Sequence, residues 1–211
     1  MRRLIVLLLI MMGACTPKPS GDQHQANASA GASSIPASAT SEAPIAHAES
    51  AIAPEINPPG DIPDSQAFVN YQSVAGGYQL DVPEGWARTE NGPAVTFVQR
   101  FDGVGVTTAN AVTAPTVASV RANEARRIAS SGHAVTITDV SAVTLSSGMV
   151  VRIRYGSNSE PNAVTNNRVR LDNETIVFFN NGKEAALTLW APQGADNADQ
   201  WNRMSGSFRW R

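Results

Sequence analysis

The sequence predicts an α+β domain with a largely antiparallel sheet and helices on both faces, an α/β/α sandwich. Three observations predict it. Between about residue 66 and residue 211, apolar and polar residues alternate in short runs separated by turn residues, the period of half-buried strands. Two stretches, after Pro115 and after Asp196, carry helical spacing instead. Finally, Ile176-Val177-Phe178-Phe179 is apolar on both alternating sides, as a strand covered on both faces requires. A sheet with helices on both faces accommodates all three.

The elements follow in order. Residues 71–74, then Gly76-Gly77, then residues 78–82 read as a hairpin. Pro83-Glu84-Gly85-Trp86 turns the chain and directs a tryptophan inward. Residues 94–100 and 104–112 alternate and bracket Phe101-Asp102-Gly103. One helix is expected from Pro115 to Gly132, with Val117, Val120 and Ile128 on one side and Arg126 and Arg127 near its C-terminal dipole. A β-meander follows over 134–145, 149–155, 168–179 and 185–190. Asn181-Gly182 between the last two strands is a strong hairpin signal, because both residues accept positive φ. The final helix is expected to start at Asp196 as N-cap, with Ala198, Trp201 and Met204 as its apolar stripe. Ser207-Phe208-Arg209-Trp210 is placed to close the sheet.

The chain before residue 66 has a different character. Met1-Arg2-Arg3 is a positive start, and residues 4–12 are apolar, too short a run to cross a bilayer, which needs about 20 residues. Residues 1–14 thus read as a signal peptide. Gly13-Ala14 precede Cys15, the single cysteine, and this arrangement resembles the lipobox of bacterial lipoproteins. That resemblance implies a Cys15 that is acylated, becomes the new N-terminus and anchors the protein to a membrane. Two or more acyl chains hold firmly where one does not. Thr16, rather than Asp, follows the cysteine, which in a Gram-negative envelope implies the outer membrane, facing the periplasm. Residues 16–65 are rich in Pro, Ala and Ser and poor in large apolar residues, so they read as a disordered tether. As a flexible coil it would span roughly 40 Å. His24 and His47 lie in it and are expected to be solvated.

Gly77-Tyr78-Gln79-Leu80-Asp81-Val82-Pro83-Glu84-Gly85-Trp86 resembles the opening signature of PsbP-like domains. Residues 196–208, with Trp201 central and Ser207-Phe208 after the helix, are similar to the closing segment of that group. The resemblance covers nearly all of 66–211 and implies the same sandwich fold. Its motifs are turns and buried tryptophans, so it transfers no catalytic residue. The group contains an extrinsic photosystem subunit and many bacterial lipoproteins. It implies a non-enzymatic binding or assembly role, and no photosynthetic one.

Composition narrows the chemistry. The chain holds 16 Lys and Arg against 18 Asp and Glu, a net charge of −2, so nucleic acid is not an expected partner. Ser131, His133 and Asp139 contain the residue types of a catalytic triad, but no nucleophile elbow frames them. His133 is expected instead to cap the helix-to-strand turn. The carboxylates are scattered singly, which predicts no metal site. Gly103-Val104-Gly105 lacks a third glycine and a following helix, so it reads as a bend in a strand and no cofactor is expected.

One constellation stands out. Arg152 and Arg154 alternate with apolar residues on one strand, and Arg168 and Arg170 do so on the next. If the strands pair about Pro161, Arg152 faces Arg170 and Arg154 faces Arg168. Four guanidiniums would then line one sheet face, a candidate site for an anion or a partner, because the planar fork of arginine grips carboxylate or phosphate bidentately. Alternatively, Asp172 and Glu174 share that face and neutralise the stripe as cross-strand pairs. A two-residue slip would keep the face and undo the opposition. Two functional readings follow. The first is a membrane-anchored, non-catalytic binding or adaptor module of the cell envelope that docks on an envelope protein. The second is a carrier or sensor of a small anionic ligand or lipid headgroup. An enzyme ranks below both.

Overall fold

The computed structural model describes residues 49–56, 60–162 and 164–211. The signal peptide, Cys15, and the tether through residue 48 with His24 and His47 lie outside the described residues. Among the described residues the chain runs β1 (Phe68–Ser73), β2 (Tyr78–Pro83), β3 (Ala87–Asn91), β4 (Ala94–Gln99), β5 (Asp102–Asn110), α1 (Val117–Ala122), α2 (Glu124–Ser131), β6 (His133–Leu145), β7 (Gly148–Asn158), β8 (Arg170–Asn180), β9 (Lys183–Pro192), α3 (Ala198–Ser207) and β10 (Arg209–Trp210). None of these helices is long and apolar enough to cross a membrane.

The fold is α+β with antiparallel sheets. Seven strands pair in the order β3-β4-β5-β9-β8-β7-β6, every neighbour antiparallel. β8 is an inner strand with buried residues on both sides, as its double-sided apolar sequence requires. Asn181 and Gly182 join β8 to β9 with φ of 46° and 81°, the left-handed pair that a tight hairpin needs.

The two faces of this sheet carry different covers. On the first, Tyr78, Leu80 and Val82 of β2 and Met204 and Phe208 at α3 pack on Val104, Leu187, Leu189, Ile176 and Phe178. Phe208 stacks on Phe178 at 4.1 Å and on Tyr78 at 5.6 Å between ring centroids. On the second, Val120 of α1 and Ala125 and Ile128 of α2 pack on Val140, Val151, Ile153 and Val177. Helices therefore lie on both faces.

Several expectations need correction. The first hairpin and the closing segment do not join the main sheet. β1, β2 and β10 form their own three-stranded sheet, laid on the first face. The reason is the buried row Tyr78, Leu80 and Val82, which needs an apolar surface beneath it rather than a strand beside it. The helix expected from Pro115 to Gly132 is two. Thr116 caps α1 through a capping box with Ser119, and the chain breaks at Asn123, whose N–H bonds Ser119 O while its carbonyl accepts from Arg127 N. The final helix is capped one residue later than expected. Asn197 is its N-cap, and Asp196 N–H instead donates to Asp61 Oδ1 at 2.8 Å.

Residues 49–56 and 60–65, expected to belong to the tether, lie on the domain. Two attachments explain this despite an unpromising composition. Ile62 is buried, its N–H donating to Asn197 Oδ1 at 2.6 Å. Upstream, Glu49 meets three side chains described below.

Candidate functional site

β7 and β8 carry three of the four arginines singled out from the sequence, and their register differs from the expected one. Arg152 opposes Ile176, Arg154 opposes Glu174 and Asn158 opposes Arg170. The partner of Arg152 is thus six residues beyond the expected one (176 against 170). The shift is even, so Arg152, Arg154 and Arg170 still share the first face, but none of them opposes another. Arg168 lies outside β8.

The cause is the connection. The mirror axis of the pairing falls at 164, not at Pro161, because β7 continues to Asn158 and the turn closes late. Asn162 sets that turn. Its N–H donates to Asn167 O, its carbonyl accepts from Asn166 N, and its side-chain oxygen takes Val164 N at 2.9 Å and Thr165 N at 3.0 Å.

Each arginine then has its own surroundings. Arg154 Nε lies 3.0 Å from Glu174 Oε2, and Arg152 Nε lies 3.7 Å from the same oxygen. The Glu174 side chain is 10% exposed, whereas that of Arg154 is 52% exposed. Glu174 thus neutralises the pair, the alternative open at the level of sequence. Arg152 Nε is buried and makes no hydrogen bond. Arg170 is buried and structural: its Nη1 donates to Ala134 O at 2.8 Å and to Asn158 Oδ1 at 3.2 Å. Its guanidinium lies over Gly156, where a Cβ would fall 2.6 Å from Nη2, so any side chain there would have to displace it. Arg168 leaves the group altogether and donates to Glu49 Oε1 at 2.8 Å.

Arg154, Glu174 and Asp172 form the floor of a cleft of about 550 Å³ between the sheet and α3. Trp201, Asn202 and Pro192 contribute to its wall. Asp172 is exposed and accepts from Gln193 Nε2 at 2.9 Å. The volume lies in the range of ordinary ligand clefts. The floor presents an accessible cation, Arg154, and an accessible anion, Asp172, beside an indole.

The other sequence candidates separate. Ser131 Oγ donates to Arg127 O, and Asp139 accepts from Ser141 Oγ at 2.6 Å, so neither turns to His133. His133 is the first residue of β6 and caps no helix: its Nδ1 lies 2.7 Å from Glu49 Oε2 and its Nε2 lies 3.2 Å from Glu160 Oε1. Glu49 also accepts from Asn158 Nδ2 at 2.9 Å. These hydrogen bonds, Asn158's first and His133's next, hold the Glu49 carboxyl below the ordinary range, with Arg168 adding to the effect. Gly103 and Gly105 lie within β5, extended and paired to Trp190 and Thr188.

Asp102 stands out in the sequence only as part of the Phe101-Asp102-Gly103 bend. It is buried beneath the start of α3, and burial pushes its carboxyl up to about 7. The Asn197 amide, at 3.4 Å, offsets that only in part, and Asp61 adds to the rise. A carboxylate at a strand start carries no periodic signal. Trp201 is legible in the sequence only within a helix stripe, since nothing in the spacing distinguishes a wall from a core.

No protein-family model matches this chain, and no curated protein matches it in sequence. Among solved structures, the solution structure of cyanobacterial PsbP from Synechocystis sp. PCC 6803 is similar, with a TM-score of 0.49 and 16% identity over 72% of this chain and 98% of that one. A crystal structure from Bacteroides thetaiotaomicron VPI-5482 is similar with a TM-score of 0.44 and 10% identity, over 66% of this chain and 47% of that one. Both likenesses are of fold.

Proposed function

We propose that this protein is an envelope lipoprotein, held to a membrane by acyl chains on Cys15, whose folded domain is a non-catalytic binding module for another envelope protein. The observation that carries the docking reading is the mixed floor of the cleft beside α3. Arg154 and Asp172 offer opposite charges within one concave site, with Trp201 in its wall. A polypeptide segment supplies both complements and an apolar side chain for the indole; a lone anion supplies one. Glu174 already neutralises two of the arginines, which further weakens the site for a free anion.

The test is native mass spectrometry of the full chain, gently extracted from its own membrane. A mass increment on Cys15 and a retained protein that is lost from the Trp201→Ala variant support the reading. An unmodified Cys15, or a Cys15→Ser variant that stays in the membrane fraction, overturns the anchor. A partner retained equally by Trp201→Ala and Arg154→Glu removes the cleft from the interaction.

One observation favours the second reading, a carrier or sensor of a small anion. The buried Nε of Arg152 has no acceptor, and an anion entering beside Glu174 would give it one. Replacing all four arginines at once would confuse binding with folding, because Arg170 holds β8 to β6. The informative variant is Arg152→Ser with Arg154→Ser, titrated with inorganic phosphate. Unchanged binding rejects the anion site.

A further inference from the structure

The second face of the seven-stranded sheet carries another cleft, of about 580 Å³, beyond the cover provided by α1 and α2. Its most distinctive element is Trp190 on β9. The six-membered ring of this indole occupies the space directly above Gly103, so that a Cβ there would fall among its ring atoms, and it reaches Gly105. Two glycines in the neighbouring strand thus provide a bed on which a partly exposed tryptophan lies across β5. A tryptophan needed only to fill a core would be buried; this one borders an open cleft with Phe101, Tyr155 and Leu171.

The floor beside it is polar. Asn173 is 8% exposed, and its Nδ2 donates to Ser157 Oγ at 2.9 Å, with longer contacts to Tyr155 O and Leu171 O. Its Oδ1 accepts from no group among the described residues, and the side chain lines the cleft. The rim's charges are largely matched within the protein. Glu124 pairs with Arg127, and His133 lies between Glu49 and Glu160, leaving Arg100.

We propose that this cleft is a saccharide site, in which a neutral sugar ring stacks its C–H face on Trp190 and donates a hydroxyl to Asn173 Oδ1. The face of an indole is the negative side of its quadrupole, so it attracts polarised C–H groups and disfavours anions. An acyl chain would satisfy the aromatic residues but cover the Asn173 oxygen without offering it a donor, an unfavourable state for an acceptor taken out of water. A neutral polyol with one apolar face satisfies both surfaces. The cleft beside α3 lies on the opposite face, and the two have only Tyr155 and Asn173 in common.

The full chain in detergent micelles, labelled with ¹⁵N, is titrated separately with chitotetraose and with maltotetraose while the indole N–H resonances are followed. One of the two shifts the Trp190 resonance saturably below about 10 mM, and Trp190→Ala weakens that binding by about tenfold or more. Which sugar acts tells an N-acetylated amino sugar from a plain glucan. Trp190→Phe keeps a smaller platform and retains binding weakened a few-fold, which guards against a loss that merely reflects misfolding. Trp201→Phe, on the other face, leaves binding unchanged. The proposal is overturned if neither sugar shifts Trp190 in that range, or if Trp190→Ala binds as well as the unaltered chain. A shift produced by decanoate or by an extended peptide, with none from the sugars, also overturns it.

Discussion

The two faces of the seven-stranded sheet share a backbone and differ in what covers them. The face under β2 and α3 is sealed by a continuous aromatic and aliphatic cluster, with Tyr78, Phe178 and Phe208 at its centre. The face under α1 and α2 is sealed only over β6, β7 and β8, and beyond them Trp190 and its neighbours meet solvent. Within the sealed face a second contrast runs along β8. At one end Ile176 and Phe178 are packed in the core, and two steps beyond Ile176 the same side of the strand becomes Glu174 and then Asp172. Stability is concentrated where the cover is complete, and chemistry collects where it stops.

The largest effects should follow from opening the complete cover. Phe208→Ala removes the ring that joins the small sheet to the main one and should cost about 3–5 kcal/mol in urea unfolding. Ile153→Ala, fully buried on the other face, should cost about 2–4 kcal/mol. Equal costs would mean that the two covers contribute alike and that the asymmetry lies only in exposure.

A pH titration sharpens the same comparison. Asp102 lies on the sealed face with its carboxyl near 7 when folded, against about 4 in the unfolded chain. Between those values the folded chain keeps a proton that the unfolded chain has released. The contribution of Asp102 to stability should therefore be greatest below about pH 4, fall by roughly 1–3 kcal/mol up to about pH 7 and level off above it. Asp102→Asn should flatten that slope, as measured by urea unfolding across the range. A slope that persists in the variant assigns it to another group.

Glu174→Gln tests the boundary along β8. The variant leaves Arg152 and Arg154 without their common carboxylate, and a loss of about 1–2 kcal/mol is expected by thermal unfolding. The smallest effect belongs to the open face: Trp190→Ala should change stability by less than about 1 kcal/mol, since the ring is only partly buried and borders an open cleft. A larger loss would make Trp190 a member of the core.

Much of this organisation can be read from the residues, within definite limits. The hairpins at Gly76-Gly77 and Asn181-Gly182, the strands of the meander and the doubly covered β8 follow from period and turn chemistry. β3 does not, because all five of its residues are exposed and no apolar alternation marks an edge strand that faces water on both sides. The break at Asn123 is invisible for another reason, since helical spacing on either side of it is uninterrupted. For the arginines, the side of the sheet is legible and the opposition is not. Parity survives any even slip, whereas register depends on how Asn162 folds the connection, through backbone and side-chain bonds that leave no period. The Trp190 platform depends on which strand neighbours which. Gly103 and Trp190 are far apart in sequence and meet only because β5 pairs with β9.

The attachment of Glu49 has a mechanical consequence. A pull on the chain from upstream first meets one carboxylate held side by side by Arg168, His133 and Asn158, three contacts that share the load and must yield together. Behind it, Ser50 and Ile52 hold Asn158 by single bonds, which give way in succession. Only then does tension reach Ile62, whose side chain is buried in the core. From Glu49 to Ile62 a fully extended chain spans at most about 45 Å, which bounds the slack released before the fold itself is stressed. The attachment at Glu49 thus stands between an upstream pull and the core.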